Sequence, residues 1–202
     1  GRRRLRLHGK VTHMARIVLA SGSPRRQELL GRMGIHDFVV SVPQVDEVCP
    51  EGLTPEETVC HISRQKSGAV QAEPEDIVIT ADTMVFLDGR RLGKPRDEAD
   101  ALRMLSALQG RNHTVCTGVT VRQGERLLTR AQSTQVWFRE AATEELKHYI
   151  RSGEPMDKAG AYGVQGLGAL LVERIDGDFF NVMGLPVLLL SRMLAEFGVT
   201  LL

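Results

Sequence analysis

Cysteine is scarce in this sequence, and long apolar runs are missing altogether. The three cysteines, Cys49, Cys60 and Cys116, are odd in number and have the spacing of neither a disulfide framework nor a zinc site. No run of about 18 apolar residues and no secretory signal is evident, which argues against a membrane-spanning protein. These absences predict a protein of the reducing cytoplasm without a membrane partner, with cysteines that are small packed side chains and not nucleophiles.

An excess of one charge is also lacking. The chain has 26 Lys and Arg against 25 Asp and Glu, a net charge of +1. Five of those cations lie in the first thirteen residues, so residues 14–202 have 21 cations against 25 acids and a net charge of −4. A mildly acidic body has no general attraction for polyanions, and we therefore expect no nucleic-acid partner.

The first thirteen residues differ from the rest of the chain. Gly1 to His13 are rich in Arg, have no apolar periodicity and run directly into Met14. We interpret residues 1–13 as an expression leader; a native basic arm that binds nucleic acid is the alternative. With 42% hydrophobic and 25% charged residues, positions 14–202 are expected to form a single domain.

Strand and helix signals alternate along the chain. The run from Arg16 to Ala20 predicts a short buried strand, and Ser23 followed by Pro24 predicts the start of a helix that ends near Gly34. The capping signals Thr54-Pro55 and Asp97 predict two more helices. Further strands are predicted at 77–86, 113–121, 131–138 and 170–175, and further helices at 143–152 and 186–197. This order indicates an α/β fold with a mixed sheet.

The turn after the first strand is the first candidate for chemistry. Ser21-Gly22-Ser23-Pro24-Arg25-Arg26 places free backbone N–H groups, a helix N-terminus and two arginines together, which suits a polyphosphate. The alternative is a capped surface helix with a solvated arginine pair. The turn lacks the glycines and the Lys-Ser/Thr of a P-loop, which disfavours an ordinary P-loop kinase or GTPase.

Carboxylates at two positions indicate a metal or an acid-base function. Asp82 follows Ile77–Ala81 where we expect the buried strand to become a loop, and an ionised carboxylate there needs a metal or hydrogen bonds. Asp46 and Glu47 form a second acidic pair in a later part of the loop after Val42. Together these acids suit Mg²⁺, although Asp82 as a structural turn residue and Asp46-Glu47 as a solvated pair are the alternatives.

Three lysines occupy positions that favour ligand contact. Lys66 lies on the apolar stripe of the second helix, where the alternative is a side chain that reaches out to solvent. Lys94 stands between Gly93 and Pro95, and Lys158 precedes the glycine-rich stretch 160–168, so both are in irregular backbone. The glycines of that stretch indicate close backbone approach.

Taken together, these motifs resemble the Maf family of nucleotide pyrophosphatases over nearly all of the chain after Met14. The resemblance is carried by the run Ser21–Arg26, the pair Asp46-Glu47, Lys66, the triplet Ala81-Asp82-Thr83, the triplet Gly93-Lys94-Pro95 and the run Asp157–Gly166. The segment Asn181–Pro186 is also similar to the family's approach to its last helix. The version of Asp157–Gly166 present here resembles the branch that acts on dTTP and UTP.

The resemblance implies a two-lobed α/β fold related to inosine triphosphate pyrophosphatases, with an elongated mixed sheet, a central nucleotide cleft and a homodimeric assembly. It also implies hydrolysis of a nucleoside triphosphate to the monophosphate and diphosphate with Mg²⁺ or Mn²⁺. Asp82 is then the proton acceptor, Glu47 and Asp82 hold the metal, and Arg25, Thr83 and Gln165 set specificity. The expected phosphate ligands are Ser21, Ser23, Arg26, Lys66, Lys94 and Lys158.

Gln165 suits the reading of a pyrimidine base. Its amide offers an acceptor and a donor pair that complement the N3–H and a flanking carbonyl of uracil or thymine, whereas cytosine lacks that donor. A role in bracing its own loop is the alternative. Modified pyrimidine nucleotides such as 5-methyl-UTP and pseudouridine triphosphate share the same edge, so they remain alternative substrates. A nucleotide-sensing regulatory protein of cell division is the alternative of a different class.

Overall fold

The computed structural model describes residues 5–7, 10–12 and 15–202. Two short strands, β1 (Leu5–Leu7) and β2 (Lys10–Thr12), pair antiparallel. The interpretation of residues 1–13 as a leader falls partly on residues outside the described set. The remainder of the chain forms one mixed sheet with helices on both faces, which confirms the predicted fold class.

The main sheet has seven strands, six of them in the order β4-β3-β5-β7-β8-β9, with β6 paired to the end of β5. Strand β3 runs parallel to β4 and β5, and all other pairs are antiparallel. The strands are β3 (Ile17–Leu19), β4 (Phe38–Val40), β5 (Ile77–Leu87), β6 (Arg90–Leu92), β7 (Asn112–Gln123), β8 (Arg126–Phe138) and β9 (Val172–Asp176). The long central strands β5, β7 and β8 make the sheet elongated, as expected.

Within residues 15–202, six α-helices surround the sheet, and three of them begin at the predicted caps. The helices are α1 (Pro24–Arg32), α2 (Pro55–Gly68), α3 (Glu98–Leu108), α4 (Thr143–Arg151), α5 (Phe179–Met183) and α6 (Val187–Glu196). The side chains of Ser23, Thr54 and Asp97 each accept a backbone N–H three residues on. Helix α5 was not predicted. Residues 167–170 form a 3-10 turn, of which the first two lie in the predicted glycine-rich stretch, so the strand predicted at 170–175 begins only at Val172.

The two faces of the sheet pack against different helices. Helix α2 covers one face through a small cluster, Val59, Ile62, Met84, Phe86 and Cys116. The larger core lies on the other face and includes α3, α4 and α6. Side chains along β5 alternate between these two cores, so neighbouring residues Asp82 and Thr83 point to opposite sides.

The middle of β5 has one unpaired edge. Strand β3 pairs with residues 77–79 and β6 pairs with residues 85–87, whereas β7 pairs with the other edge along its whole length. Residues 80–84 therefore face a gap between β3 and β6. The strand predicted at 77–86 is confirmed, whereas the expectation that it becomes a loop at Asp82 is wrong: Asp82 lies in mid-strand, opposite Gly118 of β7, because β7 continues the pairing past this polar stretch.

Candidate active site

The turn that leaves β3 lies at this gap and is tied to it by Arg26. The Arg26 guanidinium donates from Nε to the Gly184 carbonyl at 2.8 Å, from Nη2 to Thr83 Oγ1 at 3.0 Å and from Nη1 to Ser21 Oγ at 3.3 Å. Ser21 Oγ also accepts the Ser23 N–H at 3.2 Å. One side chain thus joins the start of α1 to β5 and to the turn before α6.

Arg26 lies among charges of both signs. Burial lowers its pKa, and the nearby Arg25 lowers it further, whereas the carboxylates of Asp82 and Glu47 act in the opposite direction. A guanidinium stays protonated under any physiological condition. The N-terminal turn of α1 therefore presents a fixed cation beside the two predicted acidic residues.

Lys66 joins those two acids. Its Nζ donates to Asp82 Oδ1 at 3.0 Å and to the Ala81 carbonyl at 3.3 Å, and it lies 3.4 Å from Glu47 Oε1. Only 16% of the Lys66 side chain is exposed, so it turns towards β5 and does not extend into solvent. The Ala81 carbonyl belongs to the unpaired edge of β5, which explains why a side chain is needed to satisfy it.

Asp82 is 5% exposed, and its second oxygen is left without a partner. Within residues 15–202, Oδ2 of Asp82 is buried and accepts no hydrogen bond. A buried, unpaired carboxylate oxygen is costly, and such groups mark places where a water, a cation or a ligand completes the site. Asp82 is therefore the side chain in this gap that is best prepared to accept a proton or to bind a metal.

The carboxylates of Asp82 and Glu47 fit a divalent cation. Each faces the Lys66 ammonium, so the space between them already suits positive charge. The described residues contain no group of three or more His, Cys, Asp or Glu side chains arranged to hold a metal. Two carboxylates nonetheless suit Mg²⁺, which commonly uses one or two such ligands together with waters and substrate phosphates. Asp46 is exposed and no contact brings it into this pair.

The other two lysines lie in the irregular segments as predicted. Lys158 Nζ donates to the Glu154 carbonyl and to Asp157 Oδ1, both at 2.8 Å. The Gly160 N–H donates to the Gly93 carbonyl at 3.1 Å, which places the Gly93-Lys94-Pro95 segment beside the glycine-rich one. The side chain of Lys94 is exposed.

Two of the three specificity candidates, Gln165 and Arg25, differ in exposure. Gln165 is exposed, and no described residue bonds its amide. Arg25 is half-buried. The hydrogen bond from Lys158 is the main cause that lowers the pKa of Asp157, and the positive charge of Arg25 lowers it further. Arg25 therefore lies on the same side as Lys158. Asp157 belongs to the run Asp157–Gly166, and no role was predicted for it.

Thr83 is placed differently from Arg25 and Gln165. Its hydroxyl contacts Arg26, Thr117 Oγ1 at 2.8 Å and the Gly184 carbonyl at 3.3 Å. Thr117 and Gly184 were not singled out as site residues. Gly184 has φ +120°, a conformation that favours glycine, and its place within the quoted segment Asn181–Pro186 is the sequence signal that pointed to it.

Comparison with known proteins identifies the family. A family model described as Maf-like protein matches residues 16–197. The chain is 48% identical over 185 residues to a dTTP/UTP pyrophosphatase of Bacillus velezensis, covering 91% of this chain and 97% of the relative. It is 49% identical over 186 residues to a dTTP/UTP pyrophosphatase of Carboxydothermus hydrogenoformans, covering 91% and 99%.

A solved structure gives a likeness of fold alone. The Staphylococcus aureus Ham1 protein superposes with a TM-score of 0.51 at 16% sequence identity, covering 90% of this chain and 99% of that chain. No helix within the described residues is long and apolar enough to cross a bilayer. The family model extends over nine-tenths of the sequence and includes every candidate site residue. The chain belongs to the Maf family.

Proposed function

We propose that this chain is a nucleoside triphosphate pyrophosphatase that hydrolyses dTTP and UTP to the nucleoside monophosphate and inorganic diphosphate. The observation that carries the proposal is the unpaired, buried Oδ2 of Asp82 in a gap lined by cations. Relatives 48% and 49% identical over nine-tenths of the chain bear the name dTTP/UTP pyrophosphatase, which supports the substrate.

The reaction joins a water oxygen to the α-phosphorus and breaks the bond between that phosphorus and the bridging oxygen to the β-phosphate. Asp82 accepts the proton of the attacking water at Oδ2, and diphosphate leaves with the bridging oxygen. General-base assistance of this kind contributes about 10²- to 10⁴-fold. The rigid position of Asp82 within β5 supports this role, because a strand holds its side chain more accurately than a loop does.

The cations around the gap stabilise negative charge on the phosphate oxygens. We assign the guanidinium fork of Arg26 and the ammonium of Lys66, which lies beside Asp82, to the phosphates. Lys94 and Lys158 are assigned the same role from the two segments that the Gly160–Gly93 hydrogen bond joins. Ser21 and Ser23 contribute a hydroxyl and backbone N–H groups at the start of α1. The contacts of Arg26 with Ser21 and Thr83 support a preorganised phosphate site.

Glu47 and Asp82 are the residues that would hold Mg²⁺ or Mn²⁺. When bound, the cation supplies charge neutralisation to the phosphates and the leaving diphosphate. Lys66 then gives up its contacts with the two carboxylates and turns its ammonium to the phosphate oxygens. The position of its Nζ within 3.4 Å of both acids supports this exchange.

Base selection is assigned to Gln165, with Arg25 and Thr83. The exposed, unbonded amide of Gln165 can pair with the N3–H and a carbonyl of uracil or thymine. Thr83 contacts Arg26, which supports an effect on specificity through the position of that arginine. We also propose a cytoplasmic homodimer; the three free cysteines, Cys49, Cys60 and Cys116, are consistent with a reducing compartment. Sedimentation of the purified protein tests the dimer.

The test is pyrophosphate release from UTP, dTTP, CTP and ATP with Mg²⁺ or Mn²⁺ and with a chelator. We expect UTP and dTTP to be preferred, and turnover to stop when metal is removed. Asp82→Asn should lower kcat at least about 100-fold with the fold intact by circular dichroism. Asp88→Asn is the matched control, because Asp88 is exposed on the same hairpin and pairs with Arg111.

The alternatives give different outcomes in the same assay. Equal turnover of all four nucleotides would refute the pyrimidine assignment, and full activity in Asp82→Asn would remove Asp82 from the role of base. Binding of UTP without turnover would favour the sensing protein. Competition between UTP, 5-methyl-UTP and pseudouridine triphosphate ranks the modified substrates.

A further inference from the structure

The side chain of Glu154 is enclosed by the glycine-rich segment, which follows it in the sequence, and it accepts hydrogen bonds from that segment at both carboxylate oxygens. Oε2 accepts the Leu167 N–H at 2.9 Å, and Oε1 accepts the Gly168 N–H at 3.1 Å. Oε1 also accepts the Tyr149 hydroxyl at 2.6 Å, and that hydroxyl oxygen accepts the Gly163 N–H at 3.1 Å. Both ends of segment 163–168 are thus attached to one carboxylate, directly or through Tyr149.

The backbone of this segment is fitted closely around the carboxylate. A Cβ at position 166 would lie 2.3 Å from Glu154 Oε2, and one at position 168 would lie 2.3 Å from the Gly163 carbonyl and 2.7 Å from the Tyr149 hydroxyl. Real Cβ atoms essentially never approach within 3.0 Å, so Gly168 is required by the backbone of Gly163, and a Cβ at position 166 would displace the Glu154 carboxylate from its present place. Gln165 stands in the middle of the segment.

The same residue also fixes the neighbouring cation. The Glu154 backbone carbonyl accepts a hydrogen bond from Lys158 Nζ at 2.8 Å. The proposed phosphate ligand Lys158 and the proposed base reader Gln165 are therefore held from one point. The backbone of Glu154 orients Lys158, and its side chain orients the segment that carries Gln165.

We propose that Glu154, together with Tyr149, is a positioning residue for substrate specificity, which fixes segment 163–168 so that Gln165 presents its amide to the pyrimidine. This inference rests on the proposed function, since it concerns how that function selects its base. Glu154 and Tyr149 are positioning residues and do not contact the reacting phosphates.

An ionised carboxylate is the group that this arrangement requires. Leu167, Gly168 and Tyr149 all donate towards it, and a carboxylate accepts at both oxygens whereas an amide accepts at only one. Burial alone would raise the pKa of Glu154, but the hydrogen bonds from Tyr149, Gly168 and Leu167 hold that pKa below its ordinary range. Glu154→Gln would therefore set an NH₂ group against the Leu167 N–H or the Gly168 N–H and weaken the attachment of that end of the segment.

The experiment compares kcat/KM for UTP and CTP in the full chain. We expect Glu154→Gln to lower the preference for UTP over CTP about 10- to 100-fold, mainly through KM for UTP, because misplacement of a contact group by about 1 Å has effects of this size. kcat at saturating UTP should change by less than about threefold, since Asp82 and Lys66 are untouched. The exchange rates of the Leu167 and Gly168 amides with deuterium should rise in the variant.

A double-mutant cycle separates positioning from general destabilisation. If Glu154 acts through Gln165, the variant Glu154→Gln/Gln165→Ala should discriminate no worse than Gln165→Ala alone. Glu144→Gln is the matched control, because Glu144 is an exposed helix α4 carboxylate that pairs with Lys147 of the same helix. It should retain the UTP preference.

Unchanged discrimination in Glu154→Gln, or losses that add in the double variant, would overturn the inference while leaving the proposed function intact. Should Glu154→Gln fail to fold, Tyr149→Phe removes one hydroxyl and decides the question: we expect a smaller loss of the same preference, and full retention would overturn the inference. A wild-type protein without any preference between UTP and CTP would refute the proposed base selection and this inference together.

Discussion

Gly118 allows helix α2 to lie directly on the sheet, and its replacement by alanine should disturb both stability and the site. Gly118 is opposite Asp82 in the β5–β7 register. A Cβ at this position would lie 2.3 Å from the Val59 carbonyl oxygen and 2.7 Å from the Cys60 nitrogen, both in the backbone of α2. Ordinary contact begins at 3.4 Å, so α2 must withdraw by about 1 Å.

That displacement reaches the site through Lys66, which stands two turns after Val59 on the same helix. The 3.0 Å contact between Lys66 Nζ and Asp82 Oδ1 would lengthen beyond hydrogen-bonding distance if the helix moved as a rigid body. Overpacking of this kind destabilises by about 1–3 kcal/mol. Misplacement of an active-site group by about 1 Å lowers the rate about 100-fold.

Urea unfolding and pyrophosphate release from UTP measure the two effects in Gly118→Ala. Gly68→Ala is the control: the residue ends the same helix, and a Cβ there meets no atom within 4 Å. We expect the control to keep wild-type turnover and to gain up to about 1 kcal/mol from helix propensity. Wild-type stability and turnover in Gly118→Ala would refute the argument that the approach of α2 positions Lys66.

Two further changes test other parts of the molecule. Arg26→Lys should lower kcat/KM for UTP about 100-fold in steady-state assays. The reason is that one ammonium cannot bond Gly184, Thr83 and phosphate in the geometry of the guanidinium fork. Near-normal kinetics would contradict this. Burial lowers the pKa of His113 to about 4, so its contribution to stability is complete above about pH 6.5 and is lost as pH falls from 6.5 to 4. The loss in the free energy of unfolding is about 3 kcal/mol. In urea unfolding, the stability of His113→Gln should therefore depend less on pH over this range than that of the wild type. An equal dependence would exclude His113 as its source.

Helix starts were predictable because their signals are local. Ser23, Thr54 and Asp97 each accept a backbone N–H three residues later, so the capping residue and its partner lie within one turn of the chain. The five-residue helix α5 is capped by Asp178 in the same manner. It was missed because five residues are too few to display an apolar period.

The strand predicted at 77–86 matches β5 to within one residue, but the position of Asp82 inside it was not predictable from the local residues. Thr80, Asp82 and Thr83 interrupt the apolar run and resemble the start of a loop. The strand continues because β7 supplies hydrogen bonds from residues more than 30 positions away, and because α2 supplies Ser63 and Lys66 to the polar side chains and to the Ala81 carbonyl. These partners are set by tertiary packing, which a single segment does not reveal.

The candidate site contains residues that local motifs identify and supporting residues that only tertiary packing brings to them. The motifs identified the residues that carry charge, and the structure brings Glu47, Lys66 and Asp82 together as expected. Their supports come from distant positions: Arg26 bonds Gly184, which is 158 residues away, and Gln165 depends on Glu154 through backbone contacts. Glutamate before proline resembles any exposed turn, so its function becomes visible only when the segment folds around it.

The charges of the proposed site give a reason for metal and nucleotide to bind together. As we propose it, the site has the three carboxylates of Glu47, Asp82 and Asp157 and five cations, Arg25, Arg26, Lys66, Lys94 and Lys158, an excess of two positive charges. A triphosphate carries about four negative charges near neutral pH, which this excess alone does not balance. A divalent cation held by Glu47 and Asp82 would make up the difference, but without the nucleotide it would have to displace the Lys66 ammonium from both acids. Each ligand therefore lowers the electrostatic cost of binding the other, so metal affinity should be higher with nucleotide present.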